Sequence, residues 1–205
     1  MMPSPGGSAY IPLLPEPPPD PAIAALLAPF RATYGGELLN YHRVMALDPR
    51  LFELHVRHTL QLMGPLDGLT RVDRLVIGLV VSRVVKCPYL AQIIEFYLRR
   101  GSPEEPGMSV EEIATIREDY ETAQLRGPLV EVCRLARRVA ENPRAVTYED
   151  RSRVFHEGLS DQAILGIVTA VAYYTFLAIH IEALGIEADL DEARVQRILE
   201  GKVSG

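Results

Sequence analysis

Cys87 stands directly before Pro88 at the head of an apolar helical pattern, KCPYLAQIIEFYLRRG, residues 86–101. Proline favours the first position of a helix, so Cys87 takes the cap position, facing the first-turn amides of Tyr89 and Leu90. The helix dipole and the adjacent Lys86 both favour a thiolate there, the nucleophilic form of cysteine. The same residue also reads as a small apolar filler at a helix start. Cys133, in LVEVCRLARR, falls on the apolar stripe of its own pattern and reads as core. Histidine supplies the second group able to do chemistry, because His42, His55 and His58 fall within 17 residues. His55 and His58 are three apart on one predicted helix and share a face, so both can reach one ligand or metal ion. Tyr41 and Glu53 are near in sequence and add a donor and a carboxylate. Against that, His-x-x-His is frequent on ordinary surface and interface helices. His156 and His180 lack any partner pattern, although His180 falls where it can line an apolar pocket.

These residues sit in a chain that reads as helix after helix. Asp20-Pro21 is a cap followed by a first-position proline, opening a helix that stops at Gly35-Gly36. The segment LLNYHRVMAL ends before Pro49, and RLFELHVRHTLQLM runs from there to Gly64-Pro65. Capping-box spacing recurs at Thr70 and Asp73, Ser109 and Glu112, and Thr147 and Asp150. Pro88 and Pro128 start two further helices, and Ser160 precedes a long apolar one that ends at Gly185. The β-branched run around Val80 resembles a strand, but its cap and its length favour a buried helix. Alternating strand patterns joined by tight hairpin turns are absent. The expected fold class is all-α, a single-domain multi-helix bundle over residues 20–205 preceded by a proline-rich arm over residues 1–19.

Composition limits the partners. The chain has 205 residues, 48% apolar and 23% charged, with a net charge of −6. That is ordinary for a soluble globular protein, and no basic face is available to neutralise phosphates, so nucleic acid is not an expected partner. The most basic run, Arg134 to Arg138, reads as a solvated helix face. Two cysteines do not make a disulfide framework, and the N-terminus lacks a basic stretch followed by an apolar core, so a cytoplasmic location is expected. Ala163–Ile181 carries no formal charge and could span a bilayer by length. Polar residues such as Tyr173, Tyr174, Thr175 and His180 dilute it, and acids rather than Lys or Arg flank it, so the expectation is a soluble core or interface helix with no membrane partner.

The order of segments resembles a known family. A proline-rich arm is followed by GGELLNYHRVMALDPRLFE, then RVDRLVIGLVVSRVVKCPYLAQ, then ENPRAVTYEDRSRVFHEGLSDQAILGIV leading into the long apolar helix. This is similar to the alkylhydroperoxidase-D/carboxymuconolactone-decarboxylase family, in its peroxidase-related branch, over roughly residues 10 to 190. The resemblance implies an all-helical homo-oligomer. It also implies, for redox members, a Cys-x-x-Cys pair with a His four residues after the second Cys and a Glu twelve before the first. Decarboxylase members keep the scaffold and act on a lactone acid without a redox pair.

Carried over position by position, Cys87 matches the first cysteine, while Leu90, Ile94 and Leu75 occupy the places of the second cysteine, the histidine and the glutamate. A dithiol cycle needs a resolving sulfur and a proton relay needs titratable groups, and these three residues supply neither. Leu75, Leu90 and Ile94 are expected instead to line a dry pocket beside Cys87, with Tyr89 and His42 as its polar anchors. Two functional classes follow. One is an enzyme on this scaffold, either a single-cysteine thiol peroxidase or a lyase on a small organic acid or lactone. The other is a non-catalytic, oligomeric binding or structural homologue. The expected partners are a second copy of the chain and a small molecule or hydroperoxide. No cofactor is called for, and His55 and His58 stand as weak candidates for metal.

Overall fold

Local signals open the helices where the sequence places them. In the computed structural model, which describes residues 9–64, 68–103 and 105–201, Asp20 accepts the Ala22 amide at 2.8 Å and Pro21 begins α1 (Pro21–Thr33). Reciprocal capping boxes at Thr70, Ser109 and Thr147 start α4 (Arg71–Val84), α6 (Val110–Asp119) and α8 (Tyr148–His156). Pro88 begins α5 (Pro88–Arg100), and Gly101 ends it with φ at 63°. The remaining helices are α2 (Asn40–Met45), α3 (Pro49–Met63), α7 (Leu129–Glu141), α9 (Asp161–Ala183) and α10 (Glu192–Leu199). Among the described residues there is no strand, so the all-α reading holds.

Three details differ from the sequence reading. Helix α2 is only six residues long and its cap, Leu39, makes no side-chain bond. Pro128 is the cap of α7 rather than its first residue. Helix α10 lies beyond the segments that apolar periodicity marked, and is opened by Asp191, which accepts the Arg194 amide at 2.7 Å. Residues 1–8 of the arm and Pro65 lie outside the described residues.

The chain divides into two compact units, Met1–Thr59 with His180–Gly205, and Leu60–Ile179. Their boundaries fall inside α3 and α9. In the first unit the described part of the arm is held by named contacts. The Tyr10 amide donates to Leu184 O at 2.8 Å, and the Tyr10 ring occupies the space a Cβ on Gly185 would need. Leu14 and Arg43 exchange bonds, the Leu14 amide donating to Arg43 O and Arg43 Nε to Leu14 O. A second tie joins distant parts of the sequence: Asn40 donates through its amide to Asp189 Oδ2 at 2.9 Å, and Arg194 Nη1 reaches the same carboxylate at 3.0 Å.

In the second unit α4 is the central element. It is buried continuously from Asp73 to Ser82 and packs against α5, α6 and α7, while α7 packs on α8. A helix covered on so many sides must be apolar all round, which is why its sequence imitates a strand. Each large aliphatic side chain buried this way stabilises the fold by about 1.5–3 kcal/mol. Gly78 admits the Tyr174 ring of α9, because a Cβ there would lie 2.6 Å from Tyr174 Cζ. Asp73, fully buried, closes the capping box and accepts from Arg126, with Nε at 3.1 Å. Buried Arg74 turns back to cap carbonyls, donating to Leu69 O at 2.7 Å and Met63 O at 3.0 Å. Helix α9 is long and apolar enough to cross a membrane by composition, yet half of its most apolar window is buried inside the fold. Its Tyr174 is locked over Gly78, which is the behaviour of a core helix.

Candidate functional site

The thiol position is built by the turn between α4 and α5. Val85 and Lys86 end α4 with backbone bonds to Val81 and Arg83, and Lys86 takes a left-handed φ of 56°, uncommon for a residue with a Cβ. That conformation reverses the chain, and the Cys87 amide then donates to Ser82 O at 2.9 Å. Cys87 is the cap residue of α5 with extended backbone and no side-chain capping bond, and Pro88 follows at the first helical position. The cap geometry read from the sequence is therefore present.

The surroundings are dry. Cys87 is 1% exposed, and Leu75, Leu90 and Ile94 are 2%, 0% and 3% exposed. Tyr89 is also buried. Cys133 is buried in α7, where desolvation pushes its thiol up to about 12, so it carries no thiolate at neutral pH. Neither cysteine is in a disulfide.

The histidines belong to the first unit. His42 on α2 and His55 on α3 are buried, whereas His58, one turn after His55, is exposed. An aromatic box encloses His42 and His55. The His42 ring centroid lies 4.6 Å from Phe30, 5.3 Å from Tyr34 and 5.6 Å from Tyr41, and Tyr41 lies 5.5 Å from His55. Burial, with smaller contributions from His55 and Arg194, lowers the His42 pKa to about 3. Burial, then His58 and His180, lowers that of His55 to about 4. Both rings are thus neutral at physiological pH, and the buried Nδ1 of His42 has no hydrogen-bond partner. Among the described residues no group of three or more His, Cys, Asp or Glu is placed to hold a metal ion. His156 Nδ1 donates to Ser152 O at 2.7 Å on the surface of α8. Cys87, Tyr89, Leu75, Leu90 and Ile94 fall in the second unit, and His42, His55 and His58 in the first.

One feature escaped the sequence reading. A cavity of about 180 Å³ opens among α4, α6 and α7, lined in part by Arg83, Arg117 and Arg137. Arg137 belongs to the basic run that reads as a solvated face. Three arginines widely spaced in sequence give no local signal, and only the packing of three helices brings them together.

No protein-family model matches the sequence, and no curated protein matches it. Solved structures do. A peroxidase-related protein from Ralstonia eutropha JMP134, described as an alkylhydroperoxidase AhpD core, superposes with a TM-score of 0.76 over 97% of this chain and 99% of its own, at 18% identity. The fold is that of the alkylhydroperoxidase AhpD core. A peroxidase-related protein from Silicibacter sp. TM1040 gives a TM-score of 0.71 at 18% identity, covering 87% of this chain and 92% of its own. The debrominase Bmp8, as a cysteine-to-alanine variant in complex with 2,3,4-tribromopyrrole, gives 0.68 at 15% identity, covering 90% and 95%. The AhpD core is thus present almost end to end, while the positions that the family resemblance assigns to the second cysteine, the histidine and the glutamate hold Leu90, Ile94 and Leu75.

Proposed function

We propose that this AhpD-core protein has lost the dithiol cycle and uses Cys87 alone, as a thiol peroxidase acting on an organic hydroperoxide. The observation that carries this reading is Cys87 at the cap of α5, with Leu75 of α4 and Leu90 and Ile94 of α5 all buried on the two helices that pack together there, which we read as an apolar wall. The helix N-terminus favours the thiolate, and the wall favours an organic substrate over water. In the reaction the thiolate attacks the distal peroxide oxygen, the O–O bond breaks, and the alcohol leaves after taking a proton. The sulfenic acid then condenses with an external thiol, releasing water. A second external thiol attacks the external sulfur of the mixed disulfide, so that Cys87 leaves as the thiol and the two external thiols leave as their disulfide. No cofactor takes part, and a cytoplasmic supply of low-molecular-weight thiol fits the scheme. The tribromopyrrole complex of the debrominase supports a small organic ligand on this scaffold. A lyase acting on a small organic acid or lactone at this position would instead draw a proton transfer from Tyr89.

A second reading is favoured by the 1% exposure of Cys87 and the lack of any titratable side chain at the other three positions. It is a binding protein whose buried thiol is inert. Turnover of cumene hydroperoxide with dithiothreitol separates the two. The peroxidase reading expects activity that falls by at least about 100-fold in Cys87→Ala, the scale of losing a nucleophile, and is unchanged in Cys133→Ala. Absent turnover, with native Cys87 inert to iodoacetamide up to high pH, establishes the binding reading. A peroxide-induced Cys87–Cys133 disulfide within one chain, with sustained turnover, overturns the single-cysteine cycle.

The proposal includes self-association. Leu165, Val168, Phe176 and Ile179 form an outward apolar stripe along α9, with Leu165 and Ile179 at 67% and 59% exposure. A contiguous exposed stripe of this kind marks an interface, and a second copy of the same helix is its natural cover. Light scattering at micromolar concentration should give at least a dimer, and Leu165→Glu should shift it towards monomer. A wild-type mass of 22.8 kDa would remove this part of the proposal.

A further inference from the structure

The cavity among α4, α6 and α7 is separate from the thiol position. Leu79, Val80, Arg83 and Val84 of α4, Ile116 and Arg117 of α6, Tyr120 just after it, and Arg137 and Glu141 of α7 line it. None of Cys87, Leu75, Leu90 or Ile94 does. Its floor is apolar, since Leu79, Val80 and Ile116 are buried side chains of the α4–α6 contact. Its rim is charged. Arg83 Nη1 donates to Arg117 O at 2.7 Å and also to Glu118 O, which fixes the end of α6 against α4. Arg117 Nη1 donates to Glu95 Oε1 at 3.0 Å, and Arg137 Nε to Glu141 Oε1 at 2.7 Å.

Charge and size together define what fits. Three arginines against one glutamate leave the lining at +2, and counting Glu95 behind Arg117 still leaves +1, in a chain whose net charge is −6. A guanidinium has five N–H donors, so these arginines keep donors to spare after the contacts above. Carboxylate and phosphate both match such forks through two oxygens. A cavity of about 150 Å³ is enough to hold benzene, so a volume of about 180 Å³ takes one ring or a short aliphatic chain and little more. The apolar floor excludes a purely polar anion such as phosphate as the best occupant.

We infer that this cavity is a binding site for a small amphiphilic carboxylate, an aromatic or short-chain acid whose apolar body rests on Leu79, Val80 and Ile116 while its anion is held by Arg83, Arg117 and Arg137. The site is independent of the peroxidase reading and stands whether or not Cys87 reacts.

Fluorine NMR with 4-fluorobenzoate on the full chain tests it, with 4-fluorobenzyl alcohol as the neutral probe of equal shape. The acid should bind saturably in the millimolar range or tighter, and the alcohol about tenfold more weakly, the effect of losing a charge-assisted pair. Val84→Phe should fill the cavity and remove binding, while Arg137→Gln, at an exposed rim position, should weaken the acid about tenfold and leave the alcohol unchanged. Should Val84→Phe fail to fold, the Arg137→Gln comparison carries the test. Absence of saturable binding at millimolar acid overturns the inference. So does equal affinity for acid and alcohol, and so does full affinity for the acid in Arg137→Gln.

Discussion

Placing a glutamate at position 75, where the family resemblance puts the acid of a proton relay, is expected to unfold this protein at neutral pH rather than to activate it. Leu75 is 2% exposed on the central helix α4, which packs against α5, where Leu90 and Ile94 are buried too. Removing its aliphatic side chain forfeits about 1.5–3 kcal/mol of burial. An unpartnered carboxyl in the same space costs a further ~2–7 kcal/mol, more if it ionises. The sum rivals the whole stability of an ordinary domain, about 5–15 kcal/mol. Burial would raise the folded-state pKa of such a carboxyl above its unfolded value, so the charge penalty is absent at acid pH and grows as pH rises. The gap between Leu75→Glu and wild type should therefore be smaller at pH 5 than at pH 7.5. Leu75→Met, close in volume, should cost less than about 1.5 kcal/mol. Urea titrations followed by circular dichroism give all three values. A Leu75→Glu variant as stable as wild type at pH 7.5 would mean that position 75 faces water, and its burial on α4 would be wrong.

What the sequence made legible was what one turn of chain determines. The capping boxes at Thr70, Ser109 and Thr147 and the cap position of Cys87 depend on residues within three or four positions of one another, and all are present. The AhpD-core likeness was carried by the order of such local segments, which is why it survived at 15–18% identity. What the sequence hid depends on packing between helices. His55 and His58 share a helical face in sequence, yet one is buried and the other exposed, because the boundary of the aromatic box passes between them. Arg137 reads as solvated from its neighbours in α7, and only α4 and α6 make it a wall of a cavity. Arg74 is the same lesson reversed. A charged residue in an apolar run looks like a break in the core, but its guanidinium is spent on the carbonyls of Leu69 and Met63.

The neutral histidines make stability depend on pH in a definite direction. An unfolded chain binds protons at histidine near pH 6.5, whereas the folded protein holds His42 neutral down to about 3 and His55 down to about 4. Between those limits the unfolded state carries more protons, so stability is complete above pH 6.5 and is lost as pH falls below it. At pH 5 each ring is about 1.5 units into that window, or roughly 2 kcal/mol at about 1.4 kcal/mol per unit. After burial, His55 and Arg194 act on His42 and His58 and His180 act on His55, so the combined loss is roughly 2–4 kcal/mol rather than a simple sum. Stopping at pH 5 keeps most carboxylates ionised and isolates the histidine contribution. His42→Phe tests the source directly, since a phenyl ring suits a box made by Phe30, Tyr34 and Tyr41 and removes the partnerless Nδ1. That variant should keep its neutral-pH stability and lose about half of the acid-side fall, and His42→Phe with His55→Phe should lose nearly all of it. Urea midpoints measured from pH 7.5 to 5 decide the matter: a flat wild-type profile, or an equal fall in the double variant, would show that these rings are not held neutral by burial.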